Sequence, residues 1–98
     1  MPLFAVTYAY VDDAAALDRL RPTHRAYLRG LVESGVNVSS GPFGPGERPG
    51  ALLLIRAESK EAALAATEAD PFRAEGLVAE VTATEWRPVM GQLADDAS

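Results

Sequence analysis

The 98-residue chain has no cysteine, a single histidine (His24), a single tryptophan (Trp86) and a single lysine (Lys60). Without thiols there is no disulfide, no thiolate nucleophile and no Cys-type zinc site, which fits a reducing compartment. One histidine and no cysteine do not make an ordinary zinc site, and only a carboxylate-rich site stays formally open, so no metal is expected. The chain also lacks G-x-G-x-x-G, G-x-x-x-x-G-K-[ST] and G-x-S-x-G, which removes support for nucleotide cofactors and for a hydrolase elbow, and no cofactor is expected. Positive charge is scarce: nine Lys and Arg against fourteen Asp and Glu give a net charge of −5 and a pI near 4.7. That is the wrong sign for neutralising phosphates, so nucleic acid is not an expected partner. No apolar run approaches the roughly 18 residues of a membrane span. The opening MPLFAVTYAYVDD carries no basic residue before its two aspartates, which predicts a cytoplasmic protein with no membrane partner.

What is present describes one domain. Nearly half the residues are hydrophobic, and a chain this short buries only about 60–65% of its unfolded surface, so support from a second subunit is expected. Leu3 to Val11 is rich in β-branched and aromatic residues and predicts a first strand. Asp12 and Asp13 offer an N-cap to a helix in which Leu17, Leu20, His24, Tyr27, Leu28 and Leu31 recur every three or four residues and which Gly35 ends. Pro22 lies inside that pattern and predicts either a kink or a restart of the helix. Val36 to Ser40 alternates as a second strand and runs into the turn-rich GPFGPGERPG. Ala51 to Ile55 is a continuous apolar third strand. Ala62 to Ala69 is a second helix, preceded by Ser59 and stopped by Asp70 and Pro71. After the DPFRAEG connection a fourth strand covers Leu77 to Val89, with Leu77, Ala79, Val81 and Ala83 on one face.

Strand, helix, strand, strand, helix, strand is the order of an α+β ferredoxin-like βαββαβ sandwich with a four-stranded antiparallel sheet. The domain is expected over residues 1–90, with residues 91–98 as a flexible C-terminal tail. Two helices cover one face of such a sheet, yet the first and third strands are apolar on both faces. Phe4, Val6 and Tyr8, or their neighbours of opposite parity, would face water in a monomer, which predicts a homodimer with the sheets facing each other.

His24 lies on the apolar stripe of the first helix, and a histidine there is either a core residue satisfied by a backbone carbonyl or half of a working pair. Asp70, at the break after the second helix, either caps the DPF turn or reaches His24, since both helices pack on one face of the sheet. The cluster Arg19, Arg21, Arg25 and Arg29 reads as a solvated helix face.

Arg21 and His24 in RPTHRAYLRGLVESG, Ser40, Gly41 and Pro42 in SSGPF, and Asp70, Pro71 and Phe72 in ADPFRAEGL, followed by a strand carrying Trp86, resemble the YCII-related (YciI-like) family over nearly the whole chain. The resemblance implies a ferredoxin-like subunit of a dimeric α/β barrel and a histidine–aspartate acid/base dyad, carried here by His24 and Asp70. On that footing His24 is the proton shuttle and Asp70 fixes its tautomer. Arg21 is placed to bind an anionic group, and Ser40 and Gly41 to offer a hydroxyl and an N–H to a ligand. The expected function is a small dimeric enzyme for a lyase- or isomerase-type reaction on a small metabolite. The competing class is a non-catalytic small-molecule-binding or accessory module of the same fold. The GPFGPGERPG loop is either a lid or a variable hairpin.

Overall fold

The computed structural model describes residues 1–94. Four strands, β1 (Leu3–Tyr10), β2 (Asn37–Pro42), β3 (Gly50–Arg56) and β4 (Val78–Trp86), form one sheet in the order β2-β3-β1-β4. All pairings are antiparallel. Helices α1 (Ala14–Glu33), α2 (Lys60–Thr67) and the single turn α3 (Pro71–Ala74) complete the expected ferredoxin-like α+β arrangement. No helix of the described residues is long and apolar enough to cross a membrane.

Local chemistry sets the boundaries. The Asp13 carboxylate accepts from the Ala16 N–H at 3.1 Å and starts α1, and Gly35 leaves it at φ 81°, a left-handed conformation that costs glycine little. Pro22 sits inside α1, which runs unbroken from Ala14 to Glu33, so the helix does not restart. Pro22 is exposed, and the carbonyl its ring leaves without a partner is one that water can reach. Ser59 caps α2 through the Ala62 N–H at 3.0 Å. The DPFRAEG connection contains α3, a helix of four residues and too short to show a period.

The core lies between the helices and one face of the sheet. Phe4, Val6 and Tyr8 of β1 pack there with Leu53 and Ile55 of β3, Ala83 of β4, Leu28 of α1 and Ala63 of α2. The parity of β1 is thereby settled: Leu3, Ala5, Thr7 and Ala9 alternate with the core residues, Leu3 and Ala9 buried and Ala5 and Thr7 half-buried. Among the exposed large apolar side chains, Leu52 and Trp86 stand on strand positions alternate to the core and Phe43 beside β2. The alternation expected for β4 is interrupted. Ala9 pairs with Glu80 but Tyr10 pairs with Val78, leaving Ala79 as an extra residue. Val78 therefore packs with the core while Ala79 is exposed, a bulge that resets the face.

The GPFGPGERPG segment is a hairpin. Phe43 donates to the Gly50 carbonyl at 2.9 Å, and Glu47 to that of Gly44 at 3.1 Å. Gly50 of β3, paired with Ala9 of β1, leaves no room for a side chain: a β-carbon there would lie 2.0 Å from the Tyr8 carbonyl oxygen. Gly50→Ala is accordingly expected to force the two central strands apart and to cost about 1–3 kcal/mol in denaturant unfolding. A loss under about 0.5 kcal/mol, the range of a neutral surface change, would contradict that contact. Of the tail expected from residue 91, Gly91 to Ala94 form a turn closed by the Ala94 N–H on the Gly91 carbonyl at 3.2 Å, and the remainder lies outside the described residues.

Candidate functional site

The middle of α1 and the junction between α2 and α3 meet over the C-terminal half of β1. His24 and Asp70, 46 residues apart, are both buried there. The imidazole Nδ1 stands 2.7 Å from Asp70 Oδ1 and 3.0 Å from Oδ2. Oδ1 also accepts from the Phe72 N–H at 3.0 Å, and Oδ2 from the Tyr8 hydroxyl at 2.8 Å. The two readings of Asp70 thus coincide: the carboxylate that caps the DPF turn is the one that holds His24. Because α3 begins at Pro71, which has no N–H, the first amide available to the cap is that of Phe72.

This arrangement fixes the histidine. A carboxylate only accepts, so Nδ1 carries the proton and Nε2 is left as the basic nitrogen of the neutral ring. The ring stacks on Phe72 with centroids 3.9 Å apart and planes 6° from parallel, and Tyr10 meets Phe72 edge-on at 5.4 Å. The junction itself is anchored by Arg73, which donates to the Leu64 carbonyl at 2.8 Å and to Thr67 Oγ1 at 3.0 Å. Tyr27 adds a bond to the Ala66 carbonyl at 2.6 Å.

His24 lines a pocket of about 290 Å³ between α1 and the β2–β3 edge of the sheet. Arg21, Ser40 and Gly41 line the same pocket, whereas Asp70 lies behind His24 and is not part of the wall. Arg21 pairs with Asp18, one turn earlier and well exposed. Ser40 Oγ accepts from the Asn37 side-chain amide at 2.9 Å, which leaves its own hydroxyl proton available to a ligand. Among the described residues no group of three or more His, Cys, Asp or Glu side chains stands together to hold a metal ion.

Three features are additional to those read from the chain. Tyr8 supplies a hydroxyl to Asp70, the partner that a tyrosine at an inward strand position needs. Asn37 lines the pocket. So do Arg25 and Arg29, both exposed, so the solvated arginine face borders the pocket.

Burial raises the Tyr8 phenol above its ordinary value, and the charge of Asp70 and its hydrogen bond raise it further. Burial and Asp70 likewise raise Tyr10, against a partial offset from Arg21 and Arg25. The folded protein therefore keeps these protons where the unfolded chain begins to release them, near pH 10. The stability they confer is complete below that pH and falls as the pH rises beyond it, by about 1.4 kcal/mol per pH unit for Tyr8. Tyr8→Phe is expected to remove that share of the slope in unfolding measured from pH 9 to 11. An unchanged slope would show that Tyr8 ionises as freely folded as unfolded.

The model of the YCII-related domain family matches residues 2–87. Among solved structures, the chain is similar to the 5-chloro-2-hydroxyhydroquinone dehydrochlorinase of Burkholderia phenoliruptrix in complex with 2,5-dihydroxybenzoquinone. That likeness has a TM-score of 0.71 and 25% identity, and covers 87% of this chain and 93% of the other. No curated protein matches.

Proposed function

The chain belongs to the YCII-related family, and from that membership and its buried His24–Asp70 pair we propose a small enzyme that uses His24 for proton transfer. The reaction is of the lyase or isomerase type on a small metabolite. The observation that carries this reading is the fixed tautomer of a histidine on a pocket wall: Asp70 holds Nδ1, and Nε2 is the nitrogen left for chemistry. In the proposed step Nε2 takes a carbon-bound proton, the C–H pair moves into a new double bond, and the imidazolium formed is stabilised by Asp70, which keeps its charge. In an isomerisation the pair of an adjacent double bond is displaced in turn and takes the proton back from the imidazolium at a different carbon. In an elimination the electron pair expels a leaving group, as the name dehydrochlorinase states for the similar enzyme. Arg21 and the Ser40 hydroxyl are near enough to the same space to stabilise negative charge developing on a substrate oxygen.

Proton exchange at carbon tests this whatever the products of the full reaction. Small hydroxylated rings, 2,5-dihydroxybenzoquinone among them, lactones and carboxylic acids are incubated with the protein in D₂O, and incorporation of deuterium at carbon is followed by NMR. Enzyme-dependent exchange in at least one compound is expected. Compounds that bind without exchanging would favour the non-catalytic module.

We further propose that two subunits join through their open sheet faces, on which Leu52 and Trp86 are exposed together with Phe43 at the edge. Sedimentation should then report twice the 10.4 kDa of one chain. The monomer mass at micromolar concentration would overturn the pairing.

A further inference from the structure

Residues 21, 25 and 29 follow at intervals of four, so their side chains share one face of α1 over about 12 Å of its length. That face is the wall of the pocket that holds His24. In a chain with an excess of acidic residues, Arg25 and Arg29 have no carboxylate partner among the described residues, while Arg21, Arg48 and Arg87 each have one. Two unpaired guanidinium groups therefore border the space beside the imidazole.

Asn37, which lines the same pocket, carries a buried acceptor with no donor. Asn37 is 2% exposed, and its Nδ2 donates to the Leu28 carbonyl at 3.3 Å and to Ser40 Oγ at 2.9 Å. The Leu28 carbonyl only accepts, so the amide cannot turn over without setting two oxygens against each other. Asn37 Oδ1 is left buried with no hydrogen-bond partner, an arrangement that costs about 1–3 kcal/mol unless something donates to it.

We propose that the substrate of this pocket is a small carboxylate or phosphate anion that also carries a hydroxyl or amino donor. The guanidinium groups of Arg25 and Arg29 hold the anion, Asn37 Oδ1 accepts from the donor, and the carbon between them faces His24. The planar fork of arginine suits the paired oxygens of either anion. The position of the reacting carbon rests on the acid–base reading of the same pocket; the anion site rests on the arginines and Asn37.

Calorimetric titration with matched probes tests it. The set is 3-hydroxybenzoate and 3-hydroxyphenyl phosphate (anion and donor), 3-methoxybenzoate (anion alone) and 3-hydroxybenzyl alcohol (donor alone). On the wild-type protein the first two are expected to bind at least about tenfold more tightly than the alcohol, and 3-hydroxybenzoate more tightly than its methoxy counterpart. Arg25→Gln/Arg29→Gln should weaken both hydroxylated anions at least about tenfold and leave the alcohol within about twofold. The tighter of the two identifies carboxylate or phosphate as the natural group. Equal binding of anions and alcohol, indifference of the double variant, or no binding by any probe at millimolar concentration would overturn the proposal. The readout is kept separate from turnover by repeating the titration on His24→Ala. Anions bound but never exchanged in D₂O would sink the acid–base reading and leave the anion site standing, while exchange confined to uncharged compounds would do the reverse.

Discussion

Replacing His24 by alanine is expected to lower deuterium incorporation into substrate carbon by about 10²–10⁴-fold, the range a positioned general base contributes. Binding should be retained, because the proposed contacts to the anion and its donor come from Arg25, Arg29 and Asn37. Exogenous imidazole supplied to His24→Ala should restore part of the rate, since the space left beside Asp70 is that of the missing ring. A variant deficient only through misfolding would show no such recovery. Asp70→Asn is expected to slow exchange as well. Its Oδ1 can still accept from the Phe72 N–H, but its amide can now donate to His24 and draw the proton from Nδ1 to Nε2, leaving no base toward the pocket. The imidazolium also loses the charge that stabilises it. Exchange in His24→Ala within a factor of about three of wild type, against the range a general base contributes, would refute the dyad as the source of the chemistry.

The fold was legible because the strands and the two longer helices carry their own signals. The α1 stripe from Leu17 to Leu31 has the helical period, Asp13 and Ser59 stand where caps belong, and the turn residues divide the strands. The approach of His24 to Asp70 could be suspected from the topology, which packs both helices on one face, but spacing cannot show contact between residues 46 apart. Tyr8 escaped for a different reason. β1 is apolar on both faces, so its parity is hidden in the sequence, and only the pairing of Tyr8 with Ala51 and Val81 turns its hydroxyl inward. Arg25 and Arg29 follow the helix period as any solvated face does; that the face borders a pocket depends on where β2 lies. The bulge at Ala79 is likewise invisible to alternation, because one inserted residue changes the face without changing the composition. Asn37 offered even less, since an asparagine at a strand start is ordinarily a turn residue.

Asp70→Ala is expected to be the most damaging single change to stability. The substitution leaves three donors without their acceptor at one buried point: the Tyr8 hydroxyl, His24 Nδ1–H and the Phe72 N–H. Loss of one partner of a buried ionic or hydrogen-bonded group costs about 3–5 kcal/mol, within which a lost helix cap accounts for about 0.5–2. A domain of this size has about 5–15 kcal/mol in all, and each kilocalorie shifts Tm by about 4–8 °C, so a fall of more than about 12 °C is expected at matched protein concentration. Tyr8→Phe removes one of the three bonds and leaves no charge exposed, so it should cost only about 0.5–1.5 kcal/mol. In the double variant the two losses should be less than additive, because Tyr8→Phe has nothing left to break once the carboxylate is gone. Strict additivity, or a loss below about 1 kcal/mol for Asp70→Ala, would mean that the carboxylate is not what holds the junction. The consequence bears on how the site is dissected. One side chain fixes both the tautomer of His24 and the turn that begins α3, so a dead Asp70→Ala protein says nothing about catalysis, and only Asp70→Asn, which keeps the bond from Phe72, separates the base's orientation from the fold that supplies it.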